Sequence, residues 1–243
     1  MRTHTSLLLL LGAVAGLAAC DKNVSGAGSI TEPPPGGAGV KFFNFSVGAP
    51  QVNFFADDRK LTGVGATTGT AYGNAASGGQ YNDLTPGQYT FRAQIAGATD
   101  LLGAATTTVG PAAFYSYYLS GLYDATTKTA DSFVLEDALP PWDYANTYVR
   151  FVNAMYNAQP LTLFAKNTIT AAEVQIGGPT AYKAGSGFVA LPPGAYDLRA
   201  VQGGTNLIVR AGVSFAVQRV YTIGARGDVN TSSTRALDNT ANR

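Results

Sequence analysis

Large apolar residues recur at every second position through most of this chain. In Tyr89-Thr90-Phe91-Arg92-Ala93, and again in Tyr196-Asp197-Leu198-Arg199-Ala200, apolar side chains alternate with polar ones, the period-two signature of a half-buried strand. A Pro-Gly pair precedes each run, Pro86-Gly87 and Pro193-Gly194. Proline fixes φ and glycine accepts positive φ, so both pairs predict a type II turn. Phe42, Val52, Phe54, Tyr117 and Leu119 continue the theme in short runs separated by Gly, Asn, Asp and Pro. No stretch after residue 20 sustains a helical stripe over three turns, so the pattern predicts an all-β chain.

The pattern is also written twice. LTPGQYTFRA (84–93) returns as LPPGAYDLRA (191–200), and VKFFNFSVGAPQVNFFAD from Val40 aligns without a gap on VRFVNAMYNAQPLTLFAK from Val149. SGGQYNDLTPG matches GSGFVALPPG, and YYLSGLYD from Tyr117 is set against YTIGARGD from Tyr221, which pairs Tyr118 with Thr222. Four blocks in one order mean a duplicated module. The expected architecture is two tandem immunoglobulin-like antiparallel β-sandwich domains, residues 40–138 and 149–229, joined by a linker over 139–148. A tyrosine two residues beyond each Pro-Gly pair is analogous to the corner tyrosine of such sandwiches, whose hydroxyl pins a connection. The first copy closes with Phe133-Val134-Leu135. The matching region of the second, 230–243, is nearly devoid of large apolar residues, which predicts a polar surface tail or, alternatively, a missing strand and an open sheet edge.

At the front, MRTHTSLLLLLGAVAGLAAC combines a basic start, an apolar core and small residues, the pattern of an export signal over residues 1–19. Leu17-Ala18-Ala19-Cys20 resembles the lipobox of bacterial lipoproteins, and Cys20 is the only cysteine. The resemblance implies diacylglycerol on the thiol, cleavage before Cys20, and attachment to a membrane of the cell envelope, periplasmic or surface-exposed. Residues 20–39 are rich in Gly, Pro and Ser and read as a flexible tether. Beyond the signal, fifteen Lys and Arg balance fifteen Asp and Glu, and no basic cluster invites nucleic acid.

The only histidine, His4, lies in the signal. The chain beyond residue 20 therefore lacks the imidazole and thiol that Ser-His-Asp, Cys-His and most zinc chemistry require, and no cofactor or metal is implied. Asp57-Asp58 and Glu136-Asp137 are the visible carboxylate pairs, but neighbours in a strand point to opposite faces, whereas a glycosidase needs two facing carboxyls. GVGATTG (63–69) lacks the spacing of a phosphate-binding loop. Aromatics crowd residues 115–156. Half of them must belong to the core, and Tyr118, Trp142 and Tyr144 are candidate ligand contacts: Tyr118 on an expected outer face, Trp142 and Tyr144 between the modules, where Trp142 could instead pack the joint.

The order V-[KR]-F-x-N, A-P or Q-P before an alternating strand, S-G-x-[YF]-x-x-L-x-P-G-x-Y, and Y-x-[LI] near a glycine resembles the domain of unknown function 4397 family over residues 40 to about 229. The resemblance implies exported bacterial β-sandwich modules, commonly in tandem and commonly on lipoproteins, and brings no catalytic residues. The expected function is non-enzymatic: structural, adhesive or protein-binding, at the envelope. The alternatives are a carbohydrate-binding surface lipoprotein and, behind it, a carboxylate-dependent glycan hydrolase.

Overall fold

The computed structural model describes residues 36–63 and 68–243. The signal, Cys20 and most of the tether lie outside them, as does the middle of GVGATTG. The first module contains β1 (Ala38–Asn44), β2 (Val52–Ala56), β3 (Arg59–Lys60), β4 (Asn74–Ala75), β5 (Asn82–Leu84), β6 (Gly87–Ile95), β7 (Leu101–Val109), β8 (Phe114–Asp124) and β9 (Thr129–Glu136). The second repeats them in the same order as β10 (Thr147–Asn153), β11 (Leu161–Asn167), β12 (Glu173–Thr180), β13 (Ala184–Gly185), β14 (Val189–Leu191), β15 (Gly194–Gln202), β16 (Thr205–Phe215), β17 (Val220–Asp228) and β18 (Thr231–Ala241).

Each module is a sandwich of two sheets. One sheet runs β4-β1-β8-β9, with β5 also on β1, and faces β3-β2-β6-β7. Its sister runs β13-β10-β17-β18, with β14 on β10, and faces β12-β11-β15-β16. Phe42, Phe54, Phe91 and Tyr117 meet in the first core, and Phe151, Leu163, Leu198 and Ile223 in the second. The alternating runs behave as predicted: Phe91, Ala93, Leu198 and Ala200 are buried while Arg92 and Arg199 face outward. Both corner tyrosines pin their connection, Tyr89 donating to the carbonyl of Thr85 at 3.0 Å and Tyr196 to that of Pro192 at 2.8 Å.

Three expectations are corrected. Gly87 and Gly194 adopt φ of 158° and 159°, nearly extended, so the Pro-Gly pairs make open bends rather than type II turns. The sheets are not wholly antiparallel, because β1 pairs with β8, and β10 with β17, in parallel. Of the strands between them, β2, β3, β6 and β7, and likewise β11, β12, β15 and β16, lie in the opposite sheet, which supplies the long crossover that parallel pairing requires. Finally, residues 230–243 are not a tail. Thr231–Ala241 form β18, paired with β17 from Asp228↔Thr231 to Tyr221↔Ala241, and Leu237 reaches the second core. A polar sequence suffices because a full ladder of backbone hydrogen bonds and one buried leucine hold an edge strand.

Register also shifts one alignment by two residues. Val40 pairs with Tyr115 and Val149 with Tyr221, so Tyr115 is the counterpart of Tyr221 and Tyr118 that of Gly224. Chemistry agrees: each of these tyrosine hydroxyls accepts a backbone N–H from five residues away, Gly110 at 3.0 Å and Ala216 at 3.1 Å.

Candidate functional site

The sheets containing β1 and β10 turn their outer faces on each other. A third cluster, Phe43, Phe45, Tyr118, Phe133, Val152 and Ala154, fills the space between the modules. Tyr118 lies there, 0% exposed and stacked between Phe43 (4.7 Å) and Phe133 (4.9 Å). It is no exposed platform: the face expected to meet solvent is covered by the other module, and burial pushes its hydroxyl pKa up. Opposite, Phe45 occupies the space above Gly224, where a Cβ would come within 2.9 Å of the ring.

Polar contacts ring this cluster in matched pairs. Arg150 reaches across to the carbonyl of Glu136 at 3.0 Å and to the carboxylate of Asp137, both side chains buried. Asp137 also accepts from Tyr81 (2.6 Å) and Ser116 (2.7 Å). In the reverse direction Lys41, the counterpart of Arg150, donates to the carbonyl of Ala241 at 2.9 Å and reaches Asn242 Oδ1 at 3.5 Å. By register Ala241 and Asn242 are the counterparts of Glu136 and Asp137, so the joint is a pseudo-twofold interface within one chain. Without a carboxylate in contact, Lys41 has its pKa lowered to about 7 by burial, which the charge of Arg150 reinforces and that of Asp137 opposes.

The remaining candidate aromatics lie at one end of the joint. Tyr144 is 75% exposed and Trp142 46%, the latter beneath the guanidinium of Arg243 at 4.2 Å. Arg243 also donates to the carbonyls of Pro140 and Pro141 at 2.8 and 3.2 Å, tying the linker to the end of β18. The carboxylates do not converge. Asp57 Oδ1 accepts from Thr90 N, Asp58 pairs with Arg92, and Asp131 pairs with Lys183. Among the described residues no three of Asp, Glu, His and Cys are placed to hold a metal ion.

One concavity among the described residues was not foreseen. A cleft of 760 Å³ opens between the segment 69–80 and strands β16 and β18. Phe43 and Phe45 lie along its apolar side, and Asn74, Ser77, Gln80, Asn239 and Thr240 are among its other lining residues. Behind it Arg226 pairs with Asp238 at 2.6 Å and lies over the Tyr72 ring at 4.6 Å. Tyr72 donates to the carbonyl of Thr234 at 2.7 Å. Burial raises the Asp238 pKa against the opposing pull of Arg226. Gly73 is required at this point: its φ is +82°, and a Cβ would come within 2.7 Å of Arg226. The signal in the sequence was the second copy's polar ending itself, which marks a wall and not a tail.

The model of the family described as Domain of unknown function (DUF4397) matches residues 38–164 and again 147–243. The chain belongs to this family. No curated protein matches this DUF4397 chain. Among solved structures it is similar to one described as the Bacillus anthracis TIE protein, at 12% identity and a TM-score of 0.25, over 77% of this chain and 33% of that one. It thus spans about a third of that protein's length. It is also similar to a putative cell adhesion protein from Bacteroides ovatus, at 10% identity and 0.27, covering 84% of this chain and 95% of that one. A third is CBMbc, of family CBM26, from Eubacterium rectale Amy13K in complex with maltoheptaose, at 10% and 0.22 with the same coverage. The likeness is loose in all three, so the function of this DUF4397 protein is argued from its own residues. No helix among those described is long and apolar enough to cross a membrane.

Proposed function

We propose that this protein is a lipid-anchored bacterial envelope module that acts without catalysis, as a rigid adhesive or protein-binding body. The observation that carries the reading is the joint. Two sandwiches buried against each other through an apolar cluster and a matched polar ring make one stiff unit, suited to presenting a surface at a fixed distance from its tether. The carboxylates support it, being engaged separately by Arg92, Arg150, Lys183 and the backbone N–H of Thr90 on β6. For the anchor the support is the sequence Leu17-Ala18-Ala19-Cys20 alone. Acyl chains on Cys20 would hold the body at a membrane, since each buried methylene contributes about 0.8 kcal/mol.

Labelling with radioactive palmitate in the native host tests the anchor. Wild type should incorporate label and sediment with membranes, and Cys20→Ala should do neither; label retained by Cys20→Ala would reject lipidation at this residue. A deletion strain that attaches to surfaces and assembles its envelope as the parent does would reject the adhesive role.

A second reading, a carbohydrate-binding surface lipoprotein, loses Tyr118 but keeps one observation, the neighbouring exposed rings of Trp142 and Tyr144. Tyr144→Ala should then reduce binding to a glycan array; an unchanged array profile removes this surface from consideration.

A further inference from the structure

The side chain that Lys41 faces across the joint is a carboxamide. Its Nζ donates to the carbonyl of Ala241 at 2.9 Å and lies 3.5 Å from Oδ1 of Asn242, and both side chains are buried. Asn242 also keeps its Nδ2 shielded from solvent, with no hydrogen-bond partner among the described residues. At rest this is a costly pair, because the amine has given up water and the amide N–H groups have no acceptor. The equivalent site on the other side of the pseudo-twofold is settled differently. There Arg150 and Asp137 stand in place of Lys41 and Asn242 and form a buried ion pair. A guanidinium stays protonated and is no nucleophile. An amine held beside a carboxamide has another outcome open to it.

That outcome needs a neutral amine, a carbonyl carbon within reach and the exclusion of water. Burial lowers the Lys41 pKa to about 7, against the pull of Asp137 and aided by the charge of Arg150, so much of the amine is unprotonated and nucleophilic at neutral pH. Cγ of Asn242 is bonded to Oδ1 at about 1.2 Å. Small rotations of the two side chains therefore bring Nζ to the separation of about 3–3.5 Å from which a bond forms. The Ala241 carbonyl holds the amine in place, and burial keeps water from competing for the carbon. Attack leaves positive charge on Nζ and negative charge on Oδ1. The field of Asp137 favours the first, as does the Tyr81 ring 4.1 Å away, whose hydroxyl donates to Asp137 at 2.6 Å. The bond between Cγ and Nδ2 then breaks, one Nζ hydrogen passes to Nδ2, and ammonia leaves. One amide replaces another, so no oxidant, reductant or activated donor is consumed.

We propose that Lys41 Nζ and Asn242 Cγ condense within the folded chain into an isopeptide bond, releasing ammonia and tying β1 of the first module to the residue that follows β18 in the second. The bond removes the buried amine and the unpaired Nδ2 together, and it holds the modules to each other when their packing is pulled apart. It depends neither on the lipid anchor nor on an adhesive role.

The test is a tryptic map of the full chain, purified in detergent at neutral pH, unfolded, digested and read by mass spectrometry. Trypsin cuts after a free lysine but not after one whose amine is acylated. Wild type should therefore give a branched peptide joining residues 23–59 to residues 236–243, lighter than the sum of the two by one ammonia, about 17 Da. Lys41→Arg and Asn242→Ala should each lose that peptide completely and be cut after residue 41, with circular dichroism confirming the fold. Asn242 lies beyond the end of β18, so Asn242→Ala keeps the comparison open if Lys41→Arg fails to fold. Cys20→Ala should give the same branched peptide as wild type, which separates this result from the anchor. Complete cleavage after Lys41 in folded wild type would overturn the proposal. So would loss of ammonia from residues 236–243 alone, which marks a succinimide at Asn242, or a branched peptide that survives in Asn242→Ala.

Discussion

Lys41 and Arg150 hold equivalent places on β1 and β10, yet their surroundings differ in one decisive respect. Arg150 has a carboxylate in contact, Asp137, whereas Lys41 has the Ala241 carbonyl, the Asn242 side chain and, 4.1 Å from its ammonium, the Tyr81 ring. Burial without a contacting counter-charge favours the neutral amine, hence a pKa near 7 in the folded chain against about 10.4 unfolded. In the window between these values the unfolded chain binds the extra proton, so raising the pH favours folding. Stability with the Lys41 amine free, as in Asn242→Ala, should therefore climb between pH 7 and 9.5, on the order of 1 kcal/mol per pH unit from this group, and Lys41→Met should flatten the climb. Urea melts at four pH values measure it, and an equal slope in both proteins would contradict the account. Arg150 makes the opposite prediction. Asp137→Ala leaves its guanidinium buried without its carboxylate and should cost about 3–5 kcal/mol in the same melts, while a loss under about 1 kcal/mol would mean the pair is solvated.

Strands reveal how much of this fold could be read from letters alone. β6 and β15 alternate cleanly because one face meets a core and the other solvent, and both were legible along with the corner tyrosines. β1 and β8 are buried on both faces, so they read as continuous apolar runs, Phe42-Phe43 and Tyr117-Tyr118. That doubling was the sequence signal for the joint. Read as a one-sided strand, it put Tyr118 on an exposed face, and matching Tyr117 to Tyr221 by identity hid the two-residue shift that register exposes. β18 was illegible for another reason: its strand character lies in backbone pairing to β17, which composition does not report, and its one large apolar side chain is Leu237. Leu237→Ala should accordingly destabilise the protein by about 2–5 kcal/mol, far more than a residue in a frayed tail could, and a change in the urea midpoint too small to resolve would return the segment to the surface. Tyr196→Phe, which deletes the corner bond to Pro192 and little else, should cost about 1 kcal/mol.

At the scale of the whole molecule, duplication explains both what is shared and what differs. A twofold-like interface is self-complementary, so equivalent positions must accept each other's partners. Here the chain has broken that symmetry in compensating pairs. Phe45 is large where its counterpart Ala154 is small, and Tyr118 is large where its counterpart is Gly224, so each bulky ring sits where its own equivalent is missing. The arrangement leaves no room for symmetry to be restored on one side only. Gly224→Tyr would recreate the residue found at position 118, but Phe45 already fills that volume and is itself 2% exposed with nowhere to move. The ring must then be expelled and the modules parted, while each sandwich keeps its own core. Wild type should unfold in one calorimetric transition, because the buried joint couples the halves. The Gly224→Tyr protein should show two, with faster proteolysis across residues 138–146. A single transition at the wild-type temperature in that variant would mean that the packing of Phe45 over Gly224 does not hold the modules together, and the rigidity assigned to the joint would have to come from its polar contacts, among them Arg150–Asp137, Lys41–Ala241 and Lys183–Asp131.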